Sequence, residues 1–268
     1  MTRLTEEVLK GLDKQIRNYD KHLIKICGAS LAEIASLAAG ISITNLNEAI
    51  KRHTVGVIPI TSGKGIIDNF SQSVKSFIDY LGVYAFITNS HDVSGIAEAI
   101  EKKASLVFMA DDNRFIAVNL NTKKVVDNGE ATGRGFAAAL NLLAGDLKNR
   151  EVLAVGVGKV GIHCISYLLA QGAKVSVFDI DKNKLSSLPS NVFIEQNLSE
   201  AIPKYRYIID ASPGKGFMTL ANLHPETKIS APGMPLGLTD DAFAAFKNSI
   251  IHAPLQIGVA TMLAMVCD

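Results

Sequence analysis

From Val55 onward, short apolar runs alternate with segments whose apolar residues recur every three or four positions. The runs lie at 55–60, 83–87, 105–110, 151–155, 173–178, 192–194, 207–210, 228–231 and 249–252. Each is short, rich in Val and Ile, and closed by small or polar residues, which is the signature of a strand buried on both faces. The clearest helical-period segments between them are 69–81 and 92–103. Alternating strand and helix predicts parallel β-α-β construction, with ligands expected at the carboxyl ends of the strands. Ahead of this pattern, residues 5–26 read as one helical segment with Thr5 as its N-cap, and 31–39 as a second short helix. Gly133-Arg134-Gly135-Phe136 is read as a boundary, its glycines opening a long helix that crosses from a first domain to a second. The last stretch, from Gln256, begins as another glycine turn and ends as an apolar helix.

Bulk properties narrow the classes. A chain of 268 residues with 48% apolar residues can bury one large core or two ordinary ones. With 27 basic and 26 acidic residues and no Lys/Arg cluster, it lacks the electrostatic footprint of a nucleic-acid partner. No apolar run approaches the roughly 18 residues of a membrane span, so a cytoplasmic protein with no membrane partner is expected. Cys27, Cys164 and Cys267 are widely separated and show no metal-ligand spacing. They read as reduced thiols, and no metal is expected.

The most specific chemistry sits in Glu151-Val-Leu-Ala-Val-Gly156-Val-Gly158-Lys159-Val160-Gly161. A glycine motif alone is weak. Here strand, glycine turn, helix, second strand and the acidic terminus Asp179 follow in order within about thirty residues. Gly156 allows the tight turn, Gly158 lets backbone approach a pyrophosphate, and Gly161 lets helix pack on strand. The helix N-terminus offers unpaired N–H groups to an anion. A carboxylate at 179 is placed to accept from both ribose hydroxyls and to repel a 2′-phosphate, which favours NAD over NADP. Asp210-Ala-Ser212-Pro213 and Ser230-Ala-Pro232-Gly233 are strand ends that would lie over such a cofactor. The expected fold class is therefore α/β in two domains with a cleft between them. Residues 1–132 would hold N-terminal helices and a parallel-sheet substrate domain, and 133–268 a linker helix and a Rossmann NAD-binding domain.

Candidates for substrate chemistry are fewer. Six histidines, at 22, 53, 91, 163, 224 and 252, form no recognisable dyad and read as surface or helix-end residues. Asp111 and Asp112 close an apolar strand, which would desolvate at least one carboxylate unless a cation or donor met it. The same Asp-Asp-Asn is also good turn chemistry, so both readings stand. Ser62, in Thr61-Ser62-Gly63 after the first strand, can donate to and accept from a substrate. Lys64 reads as a solvated side chain.

With these pieces in place the chain resembles the pyrrolysine synthase family over nearly its whole length. The diagnostic blocks are Val55-Gly-Val-Ile-Pro-Ile-Thr-Ser62-Gly-Lys-Gly-Ile-Ile and Met109-Ala-Asp111-Asp112-Asn113. Phe86-Ile-Thr with Asp92-Val-Ser-Gly95, and the glycine motif, add support. The resemblance implies NAD-dependent oxidation of the terminal amine of L-lysine-Nε-3R-methyl-D-ornithine, ammonia release and cyclisation to the pyrroline ring of L-pyrrolysine. It also implies a homodimer. By matching motifs, Ser62 and Asp111 contact substrate, Asp111 holding an ammonium group, and Leu4 belongs to a mobile lid. Gly156, Gly158, Lys159, Val160, Gly161 and Asp179 form the NAD site, and Ser212 and Pro232 line its nicotinamide side. One departure is evident: where the family has an acidic residue before Pro-Leu-Gly-Ile-Gly, this chain has Ala253 in His252-Ala253-Pro254-Leu255-Gln256.

Two alternatives stay open. Gly133-Arg-Gly-Phe resembles shikimate dehydrogenase, and Gln256-Ile-Gly-Val-Ala-Thr-Met-Leu resembles the last loop of methylenetetrahydrofolate dehydrogenase. The other alternative is a non-catalytic NAD-binding sensor, which would bind cofactor without turnover.

Overall fold

A computed structural model describes residues 5–267. The chain divides into two compact units: the first holds the residues up to His22, Ser30–Gly135 and the stretch from Pro254 onward, the second Leu23–Ala29 and Phe136–Ala253. The division thus falls three residues beyond the sequence-based boundary, and the C-terminal stretch counts with the first unit rather than the second.

The N-terminal helical pattern is not one helix. The Thr5 hydroxyl accepts from the Val8 N–H and starts α1 (Glu6–Leu9), and α2 (Leu12–Cys27) follows after a break. The break is at Gly11, whose φ of 77° is left-handed and cannot continue a right-handed helix. A capping box, Ser30 with Glu33, opens α3 (Leu31–Ala39). The carboxylate of Asp20 accepts the Leu31 N–H at 2.5 Å and the Tyr80 hydroxyl at 2.6 Å. Burial, then that bond to Asp20, pushes the Tyr80 phenol up to about 12. The next helix, α4 (Ile43–Ile50), is capped by Ser42 and was not expected from the sequence, because eight residues are too few to display a period.

The first unit's sheet combines β1 (Thr54–Ile58), β2 (Tyr84–Ile87), β3 (Leu106–Ala110), β4 (Phe115–Asn119) and β5 (Val125–Asp127), in the order β2-β1-β3-β4-β5. Helices α5 (Phe70–Tyr80) and α6 (Asp92–Glu101) make the crossovers, and β2, β1 and β3 run parallel as expected. Strands β4 and β5 add on antiparallel, which the sequence analysis did not anticipate. The β4 sequence Phe-Ile-Ala-Val-Asn alternates buried and half-buried positions, the mark of a strand covered on one face only.

Helix α7 (Asn128–Ala144) carries the chain from the first unit into the second. It begins five residues before Gly133, so the glycines lie inside the helix rather than opening it. A Cβ on Gly135 would stand 2.5 Å from Thr261 Oγ1 and 2.6 Å from Ile257 Cγ2. A Cβ on Gly258 would stand 2.5 Å from Thr132 Oγ1. These glycines are the contact surface between α7 and α12 (Gln256–Cys267), and Gly258 is likewise helical rather than part of a turn. All twelve residues of α12 are buried. A helix with no polar face must be enclosed, and α12 packs on α3, α4, α5, β4 and β5, which explains why it belongs to the first unit.

The second unit is an all-parallel sheet of β6 (Glu151–Val155), β7 (Lys174–Phe178), β8 (Phe193–Ile194), β9 (Tyr207–Asp210), β10 (Lys228–Ala231) and β11 (Ile250–His252). Its order is β11-β10-β9-β6-β7-β8, so strand order reverses between β6 and β9. That is the doubly wound topology, with its switch point at this pair. Helices α8 (Gly161–Ala170), α9 (Lys182–Leu185), α10 (Leu198–Ala201) and α11 (Asp240–Ala245) complete it. Leu153, Val155, Ile208, Ile229 and Ile250 from four adjacent strands form the core with Ile202, Tyr205, Met218 and Leu238. Ser230, buried within β10, donates to the Phe136 carbonyl at 2.8 Å and so leaves no unpaired hydroxyl there.

No single helix among the described residues is long and apolar enough to cross a membrane. The α7–α12 contact yields a first prediction. Gly135→Ala should destabilise the protein by about 1–3 kcal/mol, because neither Thr261 nor Ile257 can retreat in a close-packed helix pair. Urea denaturation checks this, and an unchanged midpoint would show that the helices part at no cost.

Candidate functional site

Three glycines shape the end of β6, each for a different reason. Gly156 has a φ of 93°, and a Cβ there would lie 2.9 Å from the Ala211 carbonyl oxygen of the neighbouring β9 loop. A Cβ on Gly161 would stand only 1.9 Å from the Gly156 carbonyl oxygen, so α8 sits directly on the turn. At Gly158 a Cβ would meet nothing within 4 Å. The first and third glycines are therefore demanded by packing, whereas the second leaves a bare stretch of backbone. Val160 precedes the first turn of α8, and its carbonyl accepts from the His163 and Cys164 N–H groups. Lys159 is exposed beside it.

Asp179 is brought to this turn. Its Oδ2 accepts the Val157 N–H at 2.6 Å, and its Oδ1 the Asp181 N–H at 2.8 Å. The side chain is only 6% exposed. The carboxylate thus ties the glycine turn to the end of β7, with the Lys184 ammonium 3.9 Å from Oδ2, and Oδ1 retains a second lone pair for a further donor. Beside it lies a cleft of about 410 Å³ walled by Phe178, Ile180, Leu185 and Ile194, with Glu195 and Gln196 at its polar side. Ile180, 90% exposed, is an apolar wall turned outward.

Across the switch point stands a residue that sequence reading passed over as a strand end. Asp210 is fully buried. Its Oδ1 accepts from the Ser212 hydroxyl at 2.7 Å and the Ser212 N–H at 3.1 Å, and its Oδ2 accepts the Gly237 N–H at 3.0 Å. Burial pushes its carboxyl up to about 6, opposed by the Ser212 and Gly237 bonds. Its main-chain carbonyl also accepts the Gly233 N–H, next to Pro232. The sequence signal was an acid closing an apolar strand and followed at two residues by serine, as in an Asx-type turn. Ser212 and Pro232 are thereby drawn together. His252, at the end of β11, faces the Ala231 carbonyl through Nδ1 at 2.7 Å, and burial lowers its pKa. Ala253, where the sequence departs from its resemblance, is buried.

In the first unit, the carboxyl ends of the adjacent strands β1 and β3 bring Ser62 and Asp111 to one edge. Asp92, at the start of α6, accepts from the Thr61 N–H at 2.8 Å and from the Thr61 hydroxyl. The Thr61 hydroxyl bond, then its N–H bond, lowers the Asp92 pKa. On the other side, Asp112 Oδ2 accepts the Lys64 N–H at 2.8 Å. The loop bearing Ser62 is therefore held by a carboxylate from each neighbouring strand connection. The next connection is pinned the same way: Glu98 accepts the Asn89 and Ser90 N–H groups and Lys102, and its carboxyl falls to about 2, chiefly through Lys102.

Of the two readings left open for Asp111, the structure shows the turn. Asp111 and Asp112 are exposed, not desolvated, because β3 ends in a hairpin turn rather than running on inside the sheet. Asp111 Oδ1 accepts the Asn113 and Arg114 N–H groups, both at 2.7 Å, which is the turn role weighed above. Its Oδ2 accepts no hydrogen bond from the described residues, and the residue is exposed. Leu4 lies outside the described residues. No group of three or more His, Cys, Asp or Glu among the described residues is arranged to hold a metal ion.

The sequence is similar to known proteins over 98% of its length. A pyrrolysine synthase of Methanosarcina acetivorans is 33% identical over 98% of this chain and 98% of its own length. That of Methanosarcina barkeri is 32% identical over 98% of this chain and 97% of its own. The chain belongs to the pyrrolysine synthase family. The family model described as pyrrolysine biosynthesis protein PylD, N-terminal domain, matches residues 8–126, which include both Ser62 and Asp111. Among solved structures, quinate dehydrogenase from Corynebacterium glutamicum in complex with NAD aligns with a TM-score of 0.52, at 13% identity, over 79% of this chain and 90% of its own. That likeness concerns the fold.

Two predictions follow from the second unit. Gly161→Ala should lower thermal stability markedly while Gly158→Ala leaves it unchanged, since only the former drives a Cβ into backbone; equal melting temperatures would refute the packing assignment. For Asp210, the folded pKa of about 6 lies above the ordinary 3.8, so the folded chain binds this proton more tightly. Its contribution to stability is complete below the ordinary value and falls by about 3 kcal/mol as pH rises through the folded one. The stability difference between wild type and Asp210→Asn should shrink between about pH 4 and 7, and a pH-independent difference would contradict it.

Proposed function

We propose that this protein is an NAD-dependent amine dehydrogenase that converts L-lysine-Nε-3R-methyl-D-ornithine to L-pyrrolysine with release of ammonia. The observation that carries the reading is kinship to pyrrolysine synthases across 98% of the chain, so that both units take part in the likeness.

The residues fit the cofactor. The bare backbone at Gly158 accommodates a pyrophosphate where a Cβ would intrude, and the α8 N-terminus supplies N–H groups to it. Asp179 is placed for ribose hydroxyls and disfavours a 2′-phosphate, hence NAD. Lys159 and Val160 complete the turn, and Ser212 and Pro232 the loops at the nicotinamide end. When bound, NAD supplies the hydride acceptor.

On the substrate, the terminal CH₂–NH₂ carbon loses a hydride and its nitrogen a proton, forming a C=N bond. The α-amine of the methylornithine part adds to that carbon, ammonia leaves with the original nitrogen, and a ring C=N remains. Because the nucleophile is internal to the substrate, holding it in register replaces a bimolecular encounter and needs no covalent link to the protein. The Oδ2 of Asp111 serves to hold an ammonium group, and the Ser62 hydroxyl a polar group of the substrate. Thr61, Asp92 and Asp112 keep that loop in place. The lid role implied for Leu4 belongs to the same proposal.

The test is NADH formation from NAD and the synthetic isopeptide, with mass spectrometry of the product. Substrate-dependent NADH and a pyrroline product are expected; NAD binding without turnover would sink the reading. Asp111→Asn keeps the Oδ1 acceptor of the hairpin turn but removes the charge. It should lower kcat/KM by about tenfold or more while leaving NAD affinity and melting temperature unchanged. Near-normal kcat/KM would leave Asp111 as a turn residue.

A further inference from the structure

The second unit contains a buried carboxylate that the proposed chemistry does not use. Asp210 is the common anchor of two loops that follow different strands. Through Oδ1 it holds Ser212, in the loop after β9, and through Oδ2 it holds Gly237, in the loop after β10. Its carbonyl adds the Gly233 N–H at 2.8 Å. The packing leaves no slack. A Cβ on Gly237 would stand 2.3 Å from Asp210 Oδ2, and one on Gly233 would stand 2.3 Å from the Ser212 carbonyl oxygen. The loops are therefore seated on Asp210 and on each other.

Their position gives this anchor a functional direction. A dinucleotide on a doubly wound sheet straddles the switch point. The glycine turn after β6 takes the pyrophosphate and Asp179 after β7 takes one ribose, so the opposite end of the ligand lies over β9 and β10. Those are the strands whose loops Asp210 joins. We infer that Asp210 is a positioning residue for the nicotinamide end of the cofactor, holding the Ser212 and Gly233–Gly237 backbone in the arrangement that receives the ring. This rests on the dinucleotide reading above.

Asp210→Asn tests it directly. The amide retains one oxygen for Ser212 but sets an N–H₂ group against the Gly237 N–H, donor to donor, and releases the β10 loop. The readout is the dissociation constant for NAD and for ADP-ribose, which carries the same pyrophosphate and adenosine but no nicotinamide. NAD binding should weaken about tenfold or more while ADP-ribose binding stays within about twofold. Equal loss of both ligands, or loss of neither, would overturn the proposal and leave Asp210 a residue of general stability. If the wild type binds neither ligand, the dinucleotide reading itself fails. Should Asp210→Asn not fold, Asp210→Ser is judged by the same comparison, since it removes the shared carboxylate and leaves a small polar side chain in its place.

Discussion

The second unit depends on backbone meeting backbone at the end of β6. Gly161 lies against the Gly156 carbonyl, and Gly156 against the Ala211 carbonyl. Strand β6, helix α8 and strand β9 can converge on one point only because no side chain separates them. That convergence gathers the α8 N-terminus, the Asp179 carboxylate and the Ser212 loop around the end of β6. The first unit contains the same device at a helix crossing, where Gly135 and Gly258 let α7 and α12 approach closely. Without that approach an all-apolar α12 could not be fully enclosed.

A second theme is how loops at strand ends are held. Asp92, Glu98, Asp111, Asp112, Asp179 and Asp210 each accept backbone N–H groups of a connecting segment. A carboxylate offers about four acceptor sites and can stitch two segments together. Loop backbone has no ladder of its own, so such bonds substitute for secondary structure. The half-buried members Asp92 and Glu98 are stabilised as anions by these bonds, as their lowered pKa values reflect. The buried one, Asp210, is held against a desolvation cost that raises its pKa. It joins two loops at a switch point, at a cost in stability when the interior carboxyl ionises.

The parallel strands, the order of the glycine motif and the acidic end of β7 were legible in the chain because each is a local pattern. Strand-length apolar runs, a G-x-G-x-x-G turn and an acid about twenty residues further on need no knowledge of distant residues. Other elements were not legible. Helix α4 was too short for a period, and the antiparallel pair β4 and β5 carries half-buried alternation that a search for continuous apolar runs does not detect. Gly133 and Gly135 were read as a helix start, since sequence alone does not distinguish a glycine that breaks a helix from one that admits a neighbouring helix.

The sequence by itself determined the chemical inventory: a dinucleotide-type glycine turn, Asp179, and Ser62 and Asp111 at strand ends, together with a full-length family resemblance. Tertiary structure decided what each group touches. It decided between the two readings of Asp111 in favour of an exposed turn residue, placed α12 in the first unit, and made Asp210 the joint of two loops separated by more than twenty residues. The reason is physical. Periodicity and turn chemistry act between near neighbours, whereas burial, desolvation and the sharing of a carboxylate between loops exist only once distant segments have packed.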